Sequence, residues 1–200
     1  MPEDTSQRCF GDGNPLYEGY HDREWGRPVT DERGLFERLC LEAFQAGLSW
    51  ITVLRKRPRF REAFFDFDPE RVAHMTARDR TRLLNNAGII RNRAKIEATV
   101  TNAQATLGLR GGRTDLPALV WSFRPEEASA RADLSSLPGT TPESAALSRA
   151  LKSSGFRFVG PTTAYALMQA CGLVNDHLSS CPVRDEVQEE RIRVRPVEER

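Results

Sequence analysis

The stretch GFRFVGPTTAYALMQACG, residues 155–172, decides the fold class. A helical run ends at Gly155, a short apolar turn follows, and Gly160-Pro161 opens a second run that closes at Gly172. Proline is favoured at the first helical position and glycine just past the last, so Pro161–Cys171 reads as a helix with both ends marked. Such a hairpin points the free amides of the second helix outward, where the helix dipole favours an anion. Gly160 would let a phosphate approach the backbone closely. The plain alternative is an ordinary connection between two packed helices, and spacing alone does not separate the two.

Helical signals recur throughout the chain. Asp31 suits an N-cap for Glu32–Ala46, whose Leu35, Leu39, Ala43 and Ala46 form an apolar stripe, with Gly47 at its end. Trp50–Arg57 reads as a second helix stopped by Pro58, and Asp68-Pro69 opens a short one. Thr76 with Asp79 resembles a capping box before Leu83 and Leu84. Residues 92–107 have an alanine-rich helical face, and Thr141-Pro142-Glu143 begins a helix that runs to Gly155. No period-2 run, βαβ alternation or solenoid repeat is visible. The pattern predicts an all-α domain over residues 1–182, followed by a charged, loose tail over 183–200.

Two hundred residues, 39% hydrophobic and 28% charged, suit one globular domain. No apolar run is long enough to cross a bilayer, and the opening MPEDTSQRCFGDG has no signal-peptide core. Four cysteines without regular close spacing do not suggest a disulfide framework. The expectation is a cytoplasmic protein with no membrane partner. The net charge of +1 hides an uneven distribution. Residues 1–49 hold 5 basic against 10 acidic side chains, whereas residues 50–113 hold 14 against 6, a local excess of +8. That block reads either as a phosphate-facing surface or as a solvated helical face.

Cys9 and His21 lie near the start, and His177 and Cys181 lie at i, i+4 near the end. Four such ligands could surround Zn²⁺ as a structural clip joining the chain ends, leaving no position for catalytic water; separate surface or capping roles are the alternative. Cys40 and Cys171 sit in apolar runs and read as core. Between Tyr17 and Trp50 the chain gathers Tyr17, Tyr20, Trp25 and Trp50 around Glu42, an acid in the apolar stripe of its helix. Aromatic walls with a partly buried carboxylate suit a flat, cationic or hydrogen-bonding ligand. The competing reading makes the aromatics core and puts Glu42 on the wet face.

YHDREWG at 20–26, CLEAFQAGLSWITVLRKR at 40–57, AGIIRNRAKI at 87–96, VWSF at 120–123 and GFRFVGPTTAYALMQACGLVNDH at 155–177 together resemble the 3-methyladenine DNA glycosylase I family. The resemblance runs in order from about Arg8 to Cys181. It implies an all-helical helix-hairpin-helix enzyme of base excision repair that removes 3-methyladenine from alkylated double-stranded DNA, releases the free base, and carries one structural zinc. On the same ground Cys9, His21, His177 and Cys181 match the zinc ligands. Glu42, Tyr20 and Trp50 match the base pocket, with Trp25 and Tyr17 beside them, and Glu42 is the candidate catalytic residue. Phe158, Gly160 and Thr162 fall in the DNA-binding hairpin, and Leu48 suits a wedge that fills the gap left by a flipped base.

Helix-hairpin-helix enzymes that also cut the backbone carry a Schiff-base lysine after the hairpin glycine, where this chain has Thr162. Most relatives have a catalytic aspartate further on, where this chain has Ser180. Asp176, adjoining His177, reads instead as orienting a metal ligand. A monomeric, monofunctional glycosylase is expected. One departure is the absence of the tryptophan that the family commonly shows shortly after the first zinc cysteine: this chain reads Cys9-Phe10-Gly11-Asp12-Gly13-Asn14, with Phe10 as the candidate substitute. A non-catalytic zinc-stabilised DNA-binding protein, a zinc hydrolase with an open coordination position, and a purely structural helical protein are the rivals. Base release, ligand count at the metal and salt-sensitive DNA binding discriminate among them.

Overall fold

The computed structural model describes residues 8–112, 114–126 and 132–194. Among the described residues there are ten α-helices and no strand: α1 (Pro15–Arg23), α2 (Glu32–Gln45), α3 (Trp50–Ala63), α4 (Pro69–Ala73), α5 (Ala77–Leu84), α6 (Arg93–Arg110), α7 (Leu116–Trp121), α8 (Pro142–Ser153), α9 (Pro161–Ala170) and α10 (Arg184–Arg193). None is long and apolar enough to cross a membrane.

Local chemistry sets most of the starts. Asn14, Asp31, Asp68, Thr76, Asn92, Asp115 and Thr141 each accept a hydrogen bond from an amide in the first turn they precede. Thr76 and Asp79 close the expected capping box. Packing sets the rest. Helix α2 meets α3, α6, α7 and α9, and its residues from Leu39 to Phe44 are buried without a break. Cys40 and Cys171 are core residues. Ala46, by contrast, is the exposed C-cap of α2, so the apolar stripe ends at Ala43.

Two expectations are corrected. Helix α3 does not stop at Pro58 but continues to Ala63 with the proline inside it. A mid-helix proline costs about 3 kcal/mol. The continuation buries Phe60 and Ala63 and leads to a buried Phe64, and the Phe60 ring lies 4.5 Å from that of Phe44. Residues 184–193 of the expected loose tail form α10, where Val187 is fully buried and Arg191 is 2% exposed. Arg191 donates to the carbonyls of Gly172 (2.7 Å) and Leu173 (2.6 Å), in the turn just past α9, and burial pulls its guanidinium down to about 10. A hydropathy pattern counts an arginine as outward-facing, which is why α10 shows no apolar face. Residues 195–200 lie outside the described residues.

The segment that follows α9 lies against the turn after α1. Gly172 has φ +76°, and a Cβ there would sit 2.7 Å from the Gly26 carbonyl oxygen, so only glycine fits. The charge blocks also meet: Arg57 pairs with Glu24, Arg61 with Glu37 and Arg110 with Glu32. Part of the central +8 is therefore answered by the acidic N-terminal block. Arg55, Arg91 and Arg93 are exposed and have no ion pair among the described residues. A chain ending at Pro182 should lose about 3 kcal/mol, from Val187 burial and the Arg191 hydrogen bonds, or roughly 6–12 °C in Tm, measured by calorimetry.

Candidate functional site

Tyr17 and Tyr20 from α1, Trp25 just beyond it, Glu42 and Gln45 from α2 and Trp50 from α3 line one cavity of about 230 Å³. Phe10, Leu137, Ala166 and Gln169 complete it. The rings of Tyr20 and Trp50 are 5.1 Å apart, and Phe10 packs on Tyr17 at 4.8 Å and on Trp25 at 5.0 Å. The aromatic residues between 17 and 50 thus wall a cavity as well as belonging to the core.

Glu42 is 5% exposed and not on a wet face. Among the described residues no group donates a hydrogen bond to its carboxylate. Burial pushes its pKa up to about 8, against the opposing pull of Arg38 one helical turn earlier. Burial likewise raises the Tyr20 hydroxyl. A desolvated carboxylate without a donor, enclosed by electron-rich rings, favours a flat ligand that carries positive charge or N–H groups.

An adjoining cleft of about 350 Å³ shares Glu42 and Gln45 and is lined by Ala46, Gly47, Leu48, Thr162, Thr163 and Ala166. Leu48 projects from its rim, 43% exposed, on a turn where Gly47 has φ +82°. Across the cleft lies the turn between α8 and α9. Phe158 is 41% exposed with φ +56°, a left-handed conformation costing a bulky residue about 1–2 kcal/mol. Its neighbours hold it there. Asn102 of α6 accepts from the Arg157 amide (2.7 Å) and donates to the Arg157 carbonyl (3.1 Å), while the Ser148 hydroxyl donates to the Val159 carbonyl (2.6 Å). Gly160 offers no side chain to the first amides of α9, which stay open to an anion.

Cys9, His21, His177 and Cys181 converge in the buried interior, with their ligand atoms all within 4.8 Å of one another. Cys9 Sγ lies 3.7 Å from His177 Nδ1, and Cys181 Sγ lies 3.3 Å from His177 Nδ1 and 3.5 Å from His21 Nε2. Tetrahedral ligands at ordinary metal–sulfur and metal–nitrogen distances stand about 3.4–3.8 Å apart, so this set fits a small tetrahedral ion. The remaining ring nitrogens face acceptors: His21 Nδ1 meets Asp22 Oδ1 at 2.8 Å, and His177 Nε2 meets the Trp25 carbonyl at 3.0 Å. The Cys181 thiol is held low by its hydrogen bond with Cys9 and by both histidines. Asp176 does not orient a ligand in this way. It accepts instead from the Tyr165 hydroxyl (2.6 Å) and the Gln169 amide (2.8 Å), both on α9.

Sequence reasoning missed Gln45, Leu137 and Gln169 in the cavity, and Asn102 and Ser148 behind the hairpin. The last two had only a faint signal, since polar residues recur on the buried faces of both helices: Lys95, Thr99 and Thr106 beside Asn102, and Ser144 beside Ser148. Leu137 had none, since it lies in irregular chain.

An all-helical fold that opens a donorless carboxylate between aromatic walls, beside an uncapped helix start, defines a receptor for a flat, electron-poor group. The family model for methyladenine glycosylase matches residues 10–185. The DNA-3-methyladenine glycosylase 1 of Escherichia coli is 52% identical over 179 residues, 88% of this chain and 95% of that protein. The DNA-3-methyladenine glycosylase of Haemophilus influenzae is 50% identical over 171 residues, 84% of this chain and 92% of that one. A solved 3-methyladenine DNA glycosylase I variant in complex with 3-methyladenine superposes with a TM-score of 0.83 at 38% identity, covering 88% of this chain and 96% of its own. The chain belongs to the methyladenine glycosylase family.

The raised Glu42 pKa fixes the sign of a stability test. Its folded-state value lies above the ordinary 4.5, so ionising it costs stability as pH rises from about 4.5 to about 8. Glu42→Gln should melt close to the native protein at pH 4, where Glu42 is largely protonated in both folded and unfolded states, and above it at pH 8.5, as read by thermal denaturation at the two pH values.

Proposed function

We infer that this chain excises 3-methyladenine from alkylated duplex DNA by hydrolysing the N-glycosidic bond. The observation that carries this reading is the buried Glu42 carboxylate, which lacks a donor and opens into an aromatic cavity. Adenine methylated at N3 is cationic, and its glycosidic bond is already weakened. When that bond breaks, its electron pair goes to the base, which leaves neutral; water adds its oxygen to the sugar C1′ and releases a proton. The step therefore needs little acid–base assistance, and selection falls to the pocket. A base inside the stack is out of reach, so the nucleotide turns out of the duplex. Tyr20 and Trp50 stack on it, with Trp25 and Tyr17 at the side, and the positive charge strengthens the π contact. Glu42, protonated in the empty cavity, gives its proton to solvent as the charged base enters and pairs with it, and neutral adenine gains less from it.

Leu48 fills the vacated place in the stack. Phe158, Gly160 and Thr162 form the helix-hairpin-helix contact, with the α9 amides on a phosphate and Arg55, Arg91 and Arg93 adding sequence-independent attraction. The enzyme is monofunctional: Thr162 stands where a Schiff-base lysine would be, and none of Lys56, Lys95 and Lys152 lines the cavity. It acts as a cytoplasmic monomer and as one domain extending through α10.

Cys9, His21, His177 and Cys181 would hold one structural Zn²⁺. Bound there, the ion would tie the chain ends together and, with four protein ligands, would offer no position to water. Purified protein should contain one zinc per chain by elemental analysis. Cys181→Ser should lose the metal and several kcal/mol of stability, seen as a lowered Tm.

Incubating the protein with methylated duplex DNA should release 3-methyladenine, identified by chromatography. Glu42→Gln should lose about tenfold to a hundredfold in kcat/KM while keeping salt-sensitive DNA binding, which rests on phosphate contacts. Binding without release by the native protein would leave a DNA-binding module in place of an enzyme.

A further inference from the structure

Lys95 lies on α6, 7% exposed, and no carboxylate pairs with it among the described residues. Its Nζ donates to the carbonyls of Phe44 (2.8 Å) and Ala46 (2.6 Å), at the C-terminal end of α2. Those carbonyls need a partner: the last turn of α2 has no basic residue of its own, and the helix stops short of Gly47. Beyond them the chain enters the exposed segment Ala46–Ser49, closed by the Leu48 amide on the Gln45 carbonyl at 2.6 Å. Beside α6, Lys56 donates to the Ala87 carbonyl (2.9 Å) and ties the loop before that helix to α3. Burying an ammonium costs free energy that an apolar side chain of the same size would not incur. What the ammonium supplies, and an apolar group cannot, is directional bonds to two carbonyls on either side of the bend that turns the chain toward Leu48.

We propose that Lys95 is a positioning residue for excision: it fixes the Ala46–Ser49 turn so that Leu48 stands out at the rim of the base cavity. This rests on the reading of Leu48 as the wedge. Lys95 touches neither the base nor the sugar. It pre-orders the element that must enter the stack, so that order is not lost when DNA arrives. Removing it leaves the Tyr20–Glu42–Trp50 cavity walls standing and lets the turn sample other conformations.

The test separates pocket from wedge. Lys95→Met keeps an unbranched stem out to the Cε position and removes the ammonium. Release of 3-methyladenine from methylated duplex DNA should fall about tenfold or more. The affinity for free 3-methyladenine, titrated through tryptophan fluorescence, should stay within about twofold. Leu48→Ala should show the same split, and the double variant should be no worse than the poorer single one, because both changes remove the same function. Loss of base affinity in parallel with excision, or single effects that multiply in the double variant, would overturn the positioning role. If Leu48→Ala excises normally, the wedge reading itself fails; a reduced Leu48→Ala with multiplying effects sinks only the role of Lys95. Should Lys95→Met not fold, Lys95→Gln, which retains an N–H donor, carries the same comparison, and failure of both to fold makes Lys95 a structural residue.

Discussion

Glu42 sits on a helix that meets α3, α6, α7 and α9, so little is left to reach its carboxylate except what comes through the cavity. An ionised carboxylate so placed would be ruinous without compensation, and burial accordingly pushes its pKa up to about 8. The rest of the molecule arranges itself around this residue. Helix α1 brings Tyr20 and its neighbour Tyr17, the start of α3 brings Trp50, and α9 closes the floor with Ala166 and Gln169. Shifting α2 by one residue would turn its carboxylate by about 100° into the core, so the packing of four helices is also the placement of one oxygen pair.

The cavity wall and the Cys/His cluster share residues. The Phe10 ring meets Tyr17 on the cavity side and His21 edge-on at 4.9 Å, and Trp25 lies 4.7 Å from the ring of His177. Cys9 and Cys181 come from opposite ends of the described chain, yet they stand back to back with the aromatic wall. Order at the cluster is therefore order at the mouth of the cavity. Phe10 and Trp25 are the residues through which the two regions touch.

Helix starts were legible because a capping side chain and a proline act locally, and Asp31, Thr76 and Thr141 need no tertiary context to do so. The course of α3 past Pro58 was not, since what outweighs the proline is the ring of Phe44, from another helix. Helix α10 was hidden because its inward anchor is Arg191, whose partners are backbone carbonyls that leave no trace in hydropathy. In the site, the spacing of His177 and Cys181 showed a pair but not that Cys9 and His21 would meet it. The surroundings of Glu42 stayed ambiguous because residues 39–44, apolar apart from Glu42 itself, point in every direction around the helix, which locally erases the periodicity that distinguishes wet from dry. Leu137 belongs to irregular chain, where no pattern exists to be read.

Lys95 and Asn102 are seven residues apart on the buried side of α6, two turns of one rigid rod and about 10 Å along its axis. One holds the turn before α3; the other holds the backbone of Arg157 in the turn before α9. The helix is thus a ruler, and its two marks lie about three base-pair steps apart. A ruler cannot change length gracefully. A single residue inserted between Lys95 and Asn102 would swing one mark by about 100° and detach its loop. Across relatives of this chain, that interval should be the place where insertions and deletions do not occur.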